Sequence, residues 1–261
     1  MSGRFRIGTL RDLYTQPLYC TLQGSASAEL LFDTPAVHID RLMSKESDAA
    51  FVHPMDYGIN SSDLIIYPGV GVSANGFAGT VRLYLRENLQ DIKSMAVGTV
   101  TTTDVVLTRV VLGEKYDSAP AIVPVAGTVE AMLAKADCAL VAGEPLHSIQ
   151  TKYPFIDLVD EWSDITELPF VHSICVGRSE SFNKELSDLL IVSQERGKSE
   201  LRILADELSK DRTQSPDAIY EFLSQFSYTF DDRSRESLET FFHMAFFHGL
   251  MGDVPEIVVG G

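Results

Sequence analysis

The sequence predicts a two-lobed α/β protein, and three observations support this fold class. Short apolar strands alternate with single helices along the N-terminal two thirds of the chain, a pattern typical of βαβ units and parallel sheets. Two strands, Thr80–Leu85 and Phe170–Val176, have the length and position to cross from one lobe to another and back. The last third is helical, with apolar positions at helical spacing in Ser181–Ser209, Pro216–Phe226 and Arg233–Leu250.

The two crossing strands set the predicted lobe boundaries. We assign residues 1–83 and 174–261 to lobe 1, which includes the C-terminal helices, and residues 84–173 to an inserted lobe 2. Ligands of open parallel sheets bind beyond the carboxyl ends of the strands. The loops Arg11–Thr15 and His53–Tyr57 are therefore expected to face a common crevice, and the ligand is expected in a cleft between the lobes.

The N-terminal elements repeat the strand–helix pattern. Pro17 suits the first turn of a helix, where its missing N–H costs nothing, and His53-Pro54 marks the end of the third strand. The predicted strands of this part are 5–10, 28–32, 48–52 and 64–72, and the predicted helices are 18–22 and 35–43. The middle of the chain continues with strands at 121–125, 139–141 and 168–176 and helices at 87–93, 129–135 and 157–162.

The central stretch Met95–Leu112 combines an apolar run, a hydroxyl-rich turn and a helix. The turn contains Thr101, Thr102, Thr103 and Asp104. A helix start exposes unpaired backbone N–H groups and the positive end of the helix dipole, so this turn is a candidate site for an anion or carboxylate. The alternative is that Thr103 or Asp104 only caps the helix.

Composition and charge exclude several classes of partner. At 261 residues the chain can bury a sizeable core, and its formal net charge of −16 argues against a nucleic-acid backbone or an anionic membrane as partner. The cysteines Cys20, Cys138 and Cys175 form no zinc-binding or disulfide pattern, so we expect reduced thiols and no metal site. The absence of a secretory apolar region and of an apolar run of transmembrane length predicts a soluble cytoplasmic protein.

Five groups of short motifs follow one another along nearly the whole chain. They are Ile7-Gly8 with Leu13, Thr15, Pro17 and Leu18; Asp48 and Ala50 with Asp56-Tyr57; Asn75-Gly76 with Thr80-Val81; Ala139-Leu140 with Gly143-Glu144-Pro145; and Glu161-Trp162 with Leu168-Pro169-Phe170-Val171. Each motif is weak by itself. Their order and spacing together resemble the chorismate dehydratase family of the futalosine pathway of menaquinone biosynthesis.

This resemblance implies a two-lobed, periplasmic-binding-protein-like (type 2) fold without export. It also implies a carbon–oxygen lyase that eliminates water from chorismate to give 3-[(1-carboxyvinyl)oxy]benzoate, with no metal and no organic cofactor. Because aromatisation of the ring drives this reaction, the protein mainly has to bind and orient the dianion and stabilise charge. The expected partner is a small-molecule carboxylate.

Several pocket positions depart from the family's pattern. In the opening loop, where the family has serine, tyrosine and asparagine, this chain has Arg11, Asp12 and Tyr14, and the asparagine is a substrate contact. Thr80 replaces a serine and keeps its hydroxyl. The central turn lacks the family's arginine and gains Asp104, which disfavours a dicarboxylate by like-charge repulsion.

The resemblance and the residue chemistry together assign candidate roles. Tyr14, Thr80 and His53 are the candidates for proton transfer, and His53 equally suits a structural role after a strand. The candidate substrate-binding residues are Arg11, Asp56, Asn75, Thr101, Thr102, Thr103, Asp104 and Glu144. Asp56 and Glu144 also suit the capping of neighbouring helices.

Two further hypotheses stay open beside the lyase. One is a non-catalytic or diverged protein that closes over a small carboxylate or aromatic metabolite, and the other is an enzyme of the same pathway that acts on a different intermediate. Arg82 suits either a carboxylate contact or an outward surface position, and His172 is expected to pack in the returning strand. The C-terminal aromatic residues Phe226, Tyr228 and Phe230 would also suit a homodimer.

Overall fold

The structure, a computed structural model, describes residues 4–87, 89, 91–143, 146, 149 and 151–261. The chain divides into two compact units. The first unit contains Met1–Ala74, Val171–Leu238 and Pro255–Gly261, and the second contains Asn75–Phe170 and Glu239–Val254. The chain therefore passes from one unit to the other four times.

The described residues form eleven β-strands and ten α-helices. The strands are β1 Phe5–Thr9, β2 Ala28–Phe32, β3 Ala49–Val52, β4 Leu64–Ala74, β5 Val81–Leu85, β6 Ser94–Val97, β7 Ala121–Pro124, β8 Cys138–Ala142, β9 Phe155–Asp157, β10 Phe170–Arg178 and β11 Phe226–Ser227. The helices are α1 Gln16–Tyr19, α2 Pro35–Met43, α3 Pro54–Asn60, α4 Thr102–Tyr116, α5 Val129–Leu133, α6 Leu158–Thr166, α7 Lys184–Ser199, α8 Leu201–Leu208, α9 Pro216–Leu223 and α10 Asp232–Phe247. Among these described helices, none has the length and apolar character needed to cross a membrane.

The first unit is built on a six-stranded sheet in the order β11-β4-β10-β3-β1-β2. Strand β1 pairs in parallel with both β2 and β3, so the carboxyl ends of these three strands share one edge of the sheet. Strand β10 is antiparallel to β3, with Ile174 opposite Val52, and therefore begins at that same edge. All four residues of β3 are buried, as expected for a strand that is covered on both faces.

The second unit is built on a five-stranded sheet in the order β7-β6-β8-β5-β9. Strand β6 is parallel to β7 and β8, whereas β5 is antiparallel to β8 and β9. Val81 lies opposite Ala142 and Val97 lies opposite Leu140, so β5 begins at the edge where β6 and β8 end. The buried side chains of this unit's core include Tyr84, Ala96, Met132, Leu133 and Leu146.

The predicted α/β class is confirmed, with one change in the kind of sheet. The sequence pattern predicts parallel sheets, and both sheets instead mix parallel and antiparallel pairings. Strand β11 is antiparallel to β4, and two other antiparallel strands, β5 and β10, lie next to the crossings. Such a strand enters its sheet from the other unit without a crossover helix, so its direction is not tied to that of its neighbours.

The C-terminal helices differ from the predicted lobes. Residues 239–254 group with the second unit, although the sequence pattern placed all C-terminal helices in lobe 1. The aromatic stripe of α10 explains the difference, because the Phe241 ring lies 5.8 Å from the rings of both Trp162 and Phe170. His248 Nε2 also lies 2.7 Å from Glu114 Oε1. The first two crossings fall after Ala74 and Phe170, whereas the predicted boundaries are 83/84 and 173/174.

Four local elements also differ from the sequence prediction. The stretch His53–Tyr57 is not a loop but the start of α3, because Pro54 occupies the first helical turn. The described residues of 87–93 do not form the predicted helix. Strands β9 and β11 are unpredicted, because segments of three and two residues carry no detectable alternation of apolar and polar side chains.

Candidate functional site

Four predicted site residues lie in the first unit, at the edge where the parallel strands β1 and β3 end. Arg11 and Tyr14 follow β1, and His53 and Asp56 follow β3. Because β10 is antiparallel and begins at this edge, it brings His172 beside them. The sheet topology thus brings together the segments that follow β1 and β3, as expected, and it adds His172, which is distant in sequence.

The loop after β1 is held by hydrogen bonds to one carbonyl. Leu10 O accepts from Thr15 Oγ1 at 3.3 Å and from Tyr19 Oη at 2.7 Å. These bonds fold the chain into a tight turn and leave Arg11 exposed at its tip. The Arg11 guanidinium lies over the Phe32 ring, 5.1 Å from its centroid. An exposed guanidinium in this position is suited to receive a ligand carboxylate.

Tyr14 lies inside an aromatic group and not at the tip of the loop. Its side chain is only 7% exposed. Its ring centroid lies 5.1 Å from that of His172 and 5.5 Å from that of Phe226. Packing against these two rings fixes the position of the Tyr14 side chain, which gives it a structural role. Its predicted role in proton transfer stays a prediction.

His53 precedes the first residue of α3 and is buried, with 6% exposure. Its Nδ1 lies 2.9 Å from the backbone carbonyl oxygen of His172. A carbonyl oxygen only accepts, so Nδ1 carries a proton, and in the tautomer without a second proton Nε2 carries the lone pair. This tautomer makes Nε2 the atom that can accept a proton from a ligand.

Asp56 lies one helical turn after His53. Burial raises the pKa of the Asp56 carboxyl above its usual range, and the nearby His53 opposes that shift. Asp56 N also donates to His53 O at 3.1 Å. Its predicted role in substrate binding stays a prediction.

His172 is the residue of this edge that the sequence reasoning did not select. Burial, with a smaller contribution from His53, lowers the pKa of His172 to about 3, so the ring is neutral near pH 7. The sequence pattern predicts packing for His172, and its ring does pack on Tyr14 and Phe226. The backbone carbonyl of His172 orients His53, and the role of a backbone group cannot be predicted from the pattern of side chains in the sequence.

In the second unit, Thr80 and the turn that leads to Thr101 lie at the edge where β6 and β8 end and β5 begins. Thr80 immediately precedes β5, and Gly143 N donates to Thr80 O at 2.9 Å, which extends the ladder between β5 and β8 by one pair. The turn that leads to Thr101 follows β6 at the same edge. Asn75 is exposed at the first position of this unit, and Glu144 lies outside the described residues.

The start of α4 is closed by a capping box. Thr101 is the N-cap: its Oγ1 accepts from Asp104 N at 3.1 Å, and Asp104 Oδ2 accepts from Thr101 N at 2.9 Å. Of the two predicted caps, Asp104 takes part in the capping box through its side chain, whereas the N-cap itself is Thr101 and not Thr103. Thr103 is buried and Thr102 is exposed. Asp104 neutralises part of the positive helix start, which leaves less attraction for an anionic ligand.

Thr80 is buried, and among the described residues its hydroxyl oxygen has no hydrogen-bond partner. A buried hydroxyl without a partner costs free energy, so a ligand oxygen that reached it would be stabilised. This is consistent with the predicted functional role of Thr80, which stays a prediction.

A cavity of about 560 Å³ lies in the second unit, away from these residues. It is lined by the end of α4, including Tyr116 and Asp117, and by Leu85, Ile92 and Ile156. None of the predicted site residues that the structure describes lines this cavity. Among the described residues, no group of three or more histidine, cysteine, aspartate or glutamate side chains is arranged to hold a metal ion.

Several solved structures share this fold at low sequence identity. A protein from Archaeoglobus fulgidus has a TM-score of 0.74 at 17% identity, over 96% of this chain and 99% of that protein. The ligand-binding component of an ABC-type import system from Staphylococcus aureus, solved with zinc bound, has a TM-score of 0.66 at 14% identity, over 98% and 96%. A Candida albicans gene product with the generic periplasmic binding protein fold has a TM-score of 0.64 at 10% identity, over 96% and 91%. The predicted periplasmic-binding-protein-like fold is thereby confirmed.

The family is shown by a match along most of the sequence. A family model described as menaquinone biosynthesis matches residues 5–246. The matched range contains every predicted site residue of both units. The chain therefore belongs to the menaquinone biosynthesis family.

Proposed function

We propose that the protein is a chorismate-dehydratase-like lyase that converts chorismate and releases water and 3-[(1-carboxyvinyl)oxy]benzoate. Membership of the menaquinone biosynthesis family supports the pathway. The observation that carries the reaction type is the hydrogen bond from His53 to the His172 carbonyl, since it leaves a basic nitrogen at the edge where β1 and β3 end. The proposal places this activity in the cytoplasm, with a small-molecule carboxylate as partner.

The elimination is balanced without an oxidant or a reductant. A base removes the proton from the ring carbon that carries the enolpyruvyl ether, and the electrons of that C–H bond form a ring double bond. The neighbouring C–O bond breaks, and the departing hydroxyl leaves as water after it gains a proton. The ring becomes aromatic, so a single positioned base and a hydrogen-bond donor are sufficient.

We assign the base to His53, through Nε2. Its tautomer is fixed by the His172 carbonyl, and its buried position limits exchange of the proton with bulk water. Arg11, exposed at the tip of the loop after β1, is assigned to a substrate carboxylate. Thr80 lies in the second unit, and its buried hydroxyl, which lacks a partner within the described chain, is a candidate to hydrogen-bond a ligand oxygen there.

A non-catalytic binding protein is the alternative, and two observations favour it. Tyr14 stands at the position of a family substrate contact but is packed between His172 and Phe226. Asp104 adds negative charge to a turn in which this chain lacks the family's arginine. Both features weaken the binding of a dianion relative to the family's pattern. Both are compatible with a different carboxylate or an aromatic metabolite as the ligand.

Incubation of the purified protein with chorismate tests the proposal directly. The expected result is a product that has lost one water and has an aromatic absorbance, identified by chromatography and mass spectrometry. The His53→Ala variant is the control for non-enzymatic breakdown of chorismate. No turnover above that control, with no rise in melting temperature when chorismate is added, would contradict the proposal. Binding without turnover would identify a binding protein instead.

A further inference from the structure

We propose that Arg82, with the rings of Phe77 and Phe155, forms a binding site for an aromatic carboxylate on the second unit. Neither the proposed reaction nor the residues assigned to it require this site. Its connection to menaquinone biosynthesis rests on the proposed function, because the product of that reaction is itself an aromatic carboxylate. The site is defined by the geometry of Arg82 and of these two rings.

The Arg82 guanidinium lies over two aromatic rings. Its central carbon lies 4.4 Å from the centroid of Phe155 and 5.6 Å from the centroid of Phe77. The two rings are 42% and 52% exposed, so each presents apolar surface to a ligand next to a fixed positive charge. An aromatic carboxylate combines the two features that this arrangement complements.

The carboxylate opposite Arg82 in the sheet does not neutralise it. Asp157 lies opposite Arg82 in the pairing of β5 with β9, but both of its oxygens accept backbone N–H groups. Oδ2 accepts from Gly79 at 2.7 Å, and Oδ1 accepts from Val159 and Asp160, each at 3.1 Å. Within the described chain, Arg82 forms no ion pair, and its buried Nε has no hydrogen-bond partner.

Gly79 leaves space beside the guanidinium. Gly79 has a φ of +69°, and a Cβ atom there would lie 3.2 Å from Arg82 Nη2. Two buried polar atoms without a hydrogen-bond partner among the described residues, Thr80 Oγ1 and Arg82 Nε, belong to residues that are two positions apart in the sequence.

A purely structural role for Arg82 makes different predictions. If the guanidinium only joins Phe77 to β9, its replacement would loosen the segment that contains Phe77 without changing the affinity for any ligand. A lysine would keep the charge but not the planar fork that binds a carboxylate through two hydrogen bonds. Arg82→Lys therefore separates a need for charge from a need for the guanidinium itself.

Titration of the full chain with benzoate, followed by calorimetry, tests the site. Benzamide is the neutral control ligand, and Arg202→Gln is the matched control variant. Arg202 lies over the Tyr220 ring at 5.7 Å and is already paired with Asp217. We expect benzoate to bind more tightly than benzamide, with a loss of about tenfold or more in Arg82→Gln and Arg82→Lys and no change in Arg202→Gln.

Equal binding of benzoate and benzamide, or an affinity for benzoate that Arg82→Gln and Phe77→Ala leave unchanged, would overturn the proposal. Phe77→Ala keeps the test decisive if the Arg82 variants unfold, because its ring is exposed and its loss should weaken benzoate binding severalfold. Chorismate turnover is measured separately. Benzoate binding that depends on Arg82 without turnover would contradict only the lyase, and turnover without such binding would contradict only this site.

Discussion

His53 donates its Nδ1–H to the backbone carbonyl of His172, 119 residues away in the sequence, at 2.9 Å. The bond joins the end of β3 to the beginning of β10, two neighbouring antiparallel strands of the first unit. It fixes the orientation and the tautomer of the His53 ring through a main-chain group that no side-chain substitution at position 172 removes. A substitution of His53 that keeps this hydrogen bond therefore tests its role as a base separately from its position.

Replacement of His53 is expected to abolish turnover without unfolding the protein. In His53→Asn the side-chain amide can keep the hydrogen bond to the His172 carbonyl but has no basic nitrogen. Loss of a general base lowers kcat by about 10² to 10⁴. The measurement is steady-state turnover of chorismate, together with the melting temperature. His243→Asn, at an exposed position of α10, is the matched control. Full activity of His53→Asn would refute the assignment of the base.

Acid is expected to destabilise the protein through His172. The pKa of this ring is about 3 in the folded protein, against about 6.5 in an unfolded chain. Between these values the unfolded chain binds a proton that the folded protein does not, so the free energy of unfolding falls as the pH is lowered from 6.5 towards 3. The contribution is up to about 1.4 kcal/mol per pH unit.

Urea unfolding of His172→Gln and the unmodified protein at pH 6.5 and 4.5 measures this contribution. The variant should lose less stability over this interval, even if it is less stable at both values. The difference between the two slopes cancels the contributions of other titrating groups that the substitution leaves unchanged. Parallel slopes would show that His172 does not carry the acid sensitivity.

The capping box of α4 is expected to contribute to stability. Thr101→Ala removes the side chain that accepts from Asp104 N and should lower the free energy of unfolding by about 1 kcal/mol. Thr101→Ser keeps the cap and should be nearly neutral. Thr102→Ala changes an exposed residue of the same turn, so a loss as large as that of Thr101→Ala would argue against the cap as the cause. Urea unfolding provides the comparison.

Gly197 is expected to tolerate no side chain. A Cβ atom at this position of α7 would overlap the carbonyl group of Pro17 at the start of α1. Gly197→Ala should therefore force the two helices apart and cost about 1–3 kcal/mol of stability. Gly252→Ala is the control, because a Cβ there meets no atom within 4 Å. Equal melting temperatures of the two variants would contradict the close approach.

Much of the fold could be predicted because it is encoded locally. The apolar run of β3 and the hydroxyl-rich turn before α4 are contiguous signals, and both elements form within a few residues of their predicted bounds. The order of short motifs also carried the family resemblance. What remained unpredicted depends on contacts between distant segments, such as Phe241 with Trp162.

The candidate site likewise combines features that are encoded locally with contacts between distant segments. The position of His53 after an apolar strand is visible in the sequence, but the acceptor that sets its tautomer is a backbone carbonyl, which every residue possesses. Tyr14 was predicted from its place in a motif, and its burial follows from Phe226, more than two hundred residues later. Arg82 became informative only when its two aromatic neighbours and its lack of an ion pair within the described residues were known.

Helix α10 begins in the first unit and ends in the second, which has a consequence for gene fragments and chimaeras. The second unit is encoded by two separated stretches, Asn75–Phe170 and Glu239–Val254, and the junction after Leu238 falls inside a continuous helix. A fragment made only of the first stretch would lack Phe241 and would expose the face of Trp162 that this ring covers. Exchange of the second unit between family members therefore requires both stretches to be transferred together, with a splice within α10 that preserves its helical phase.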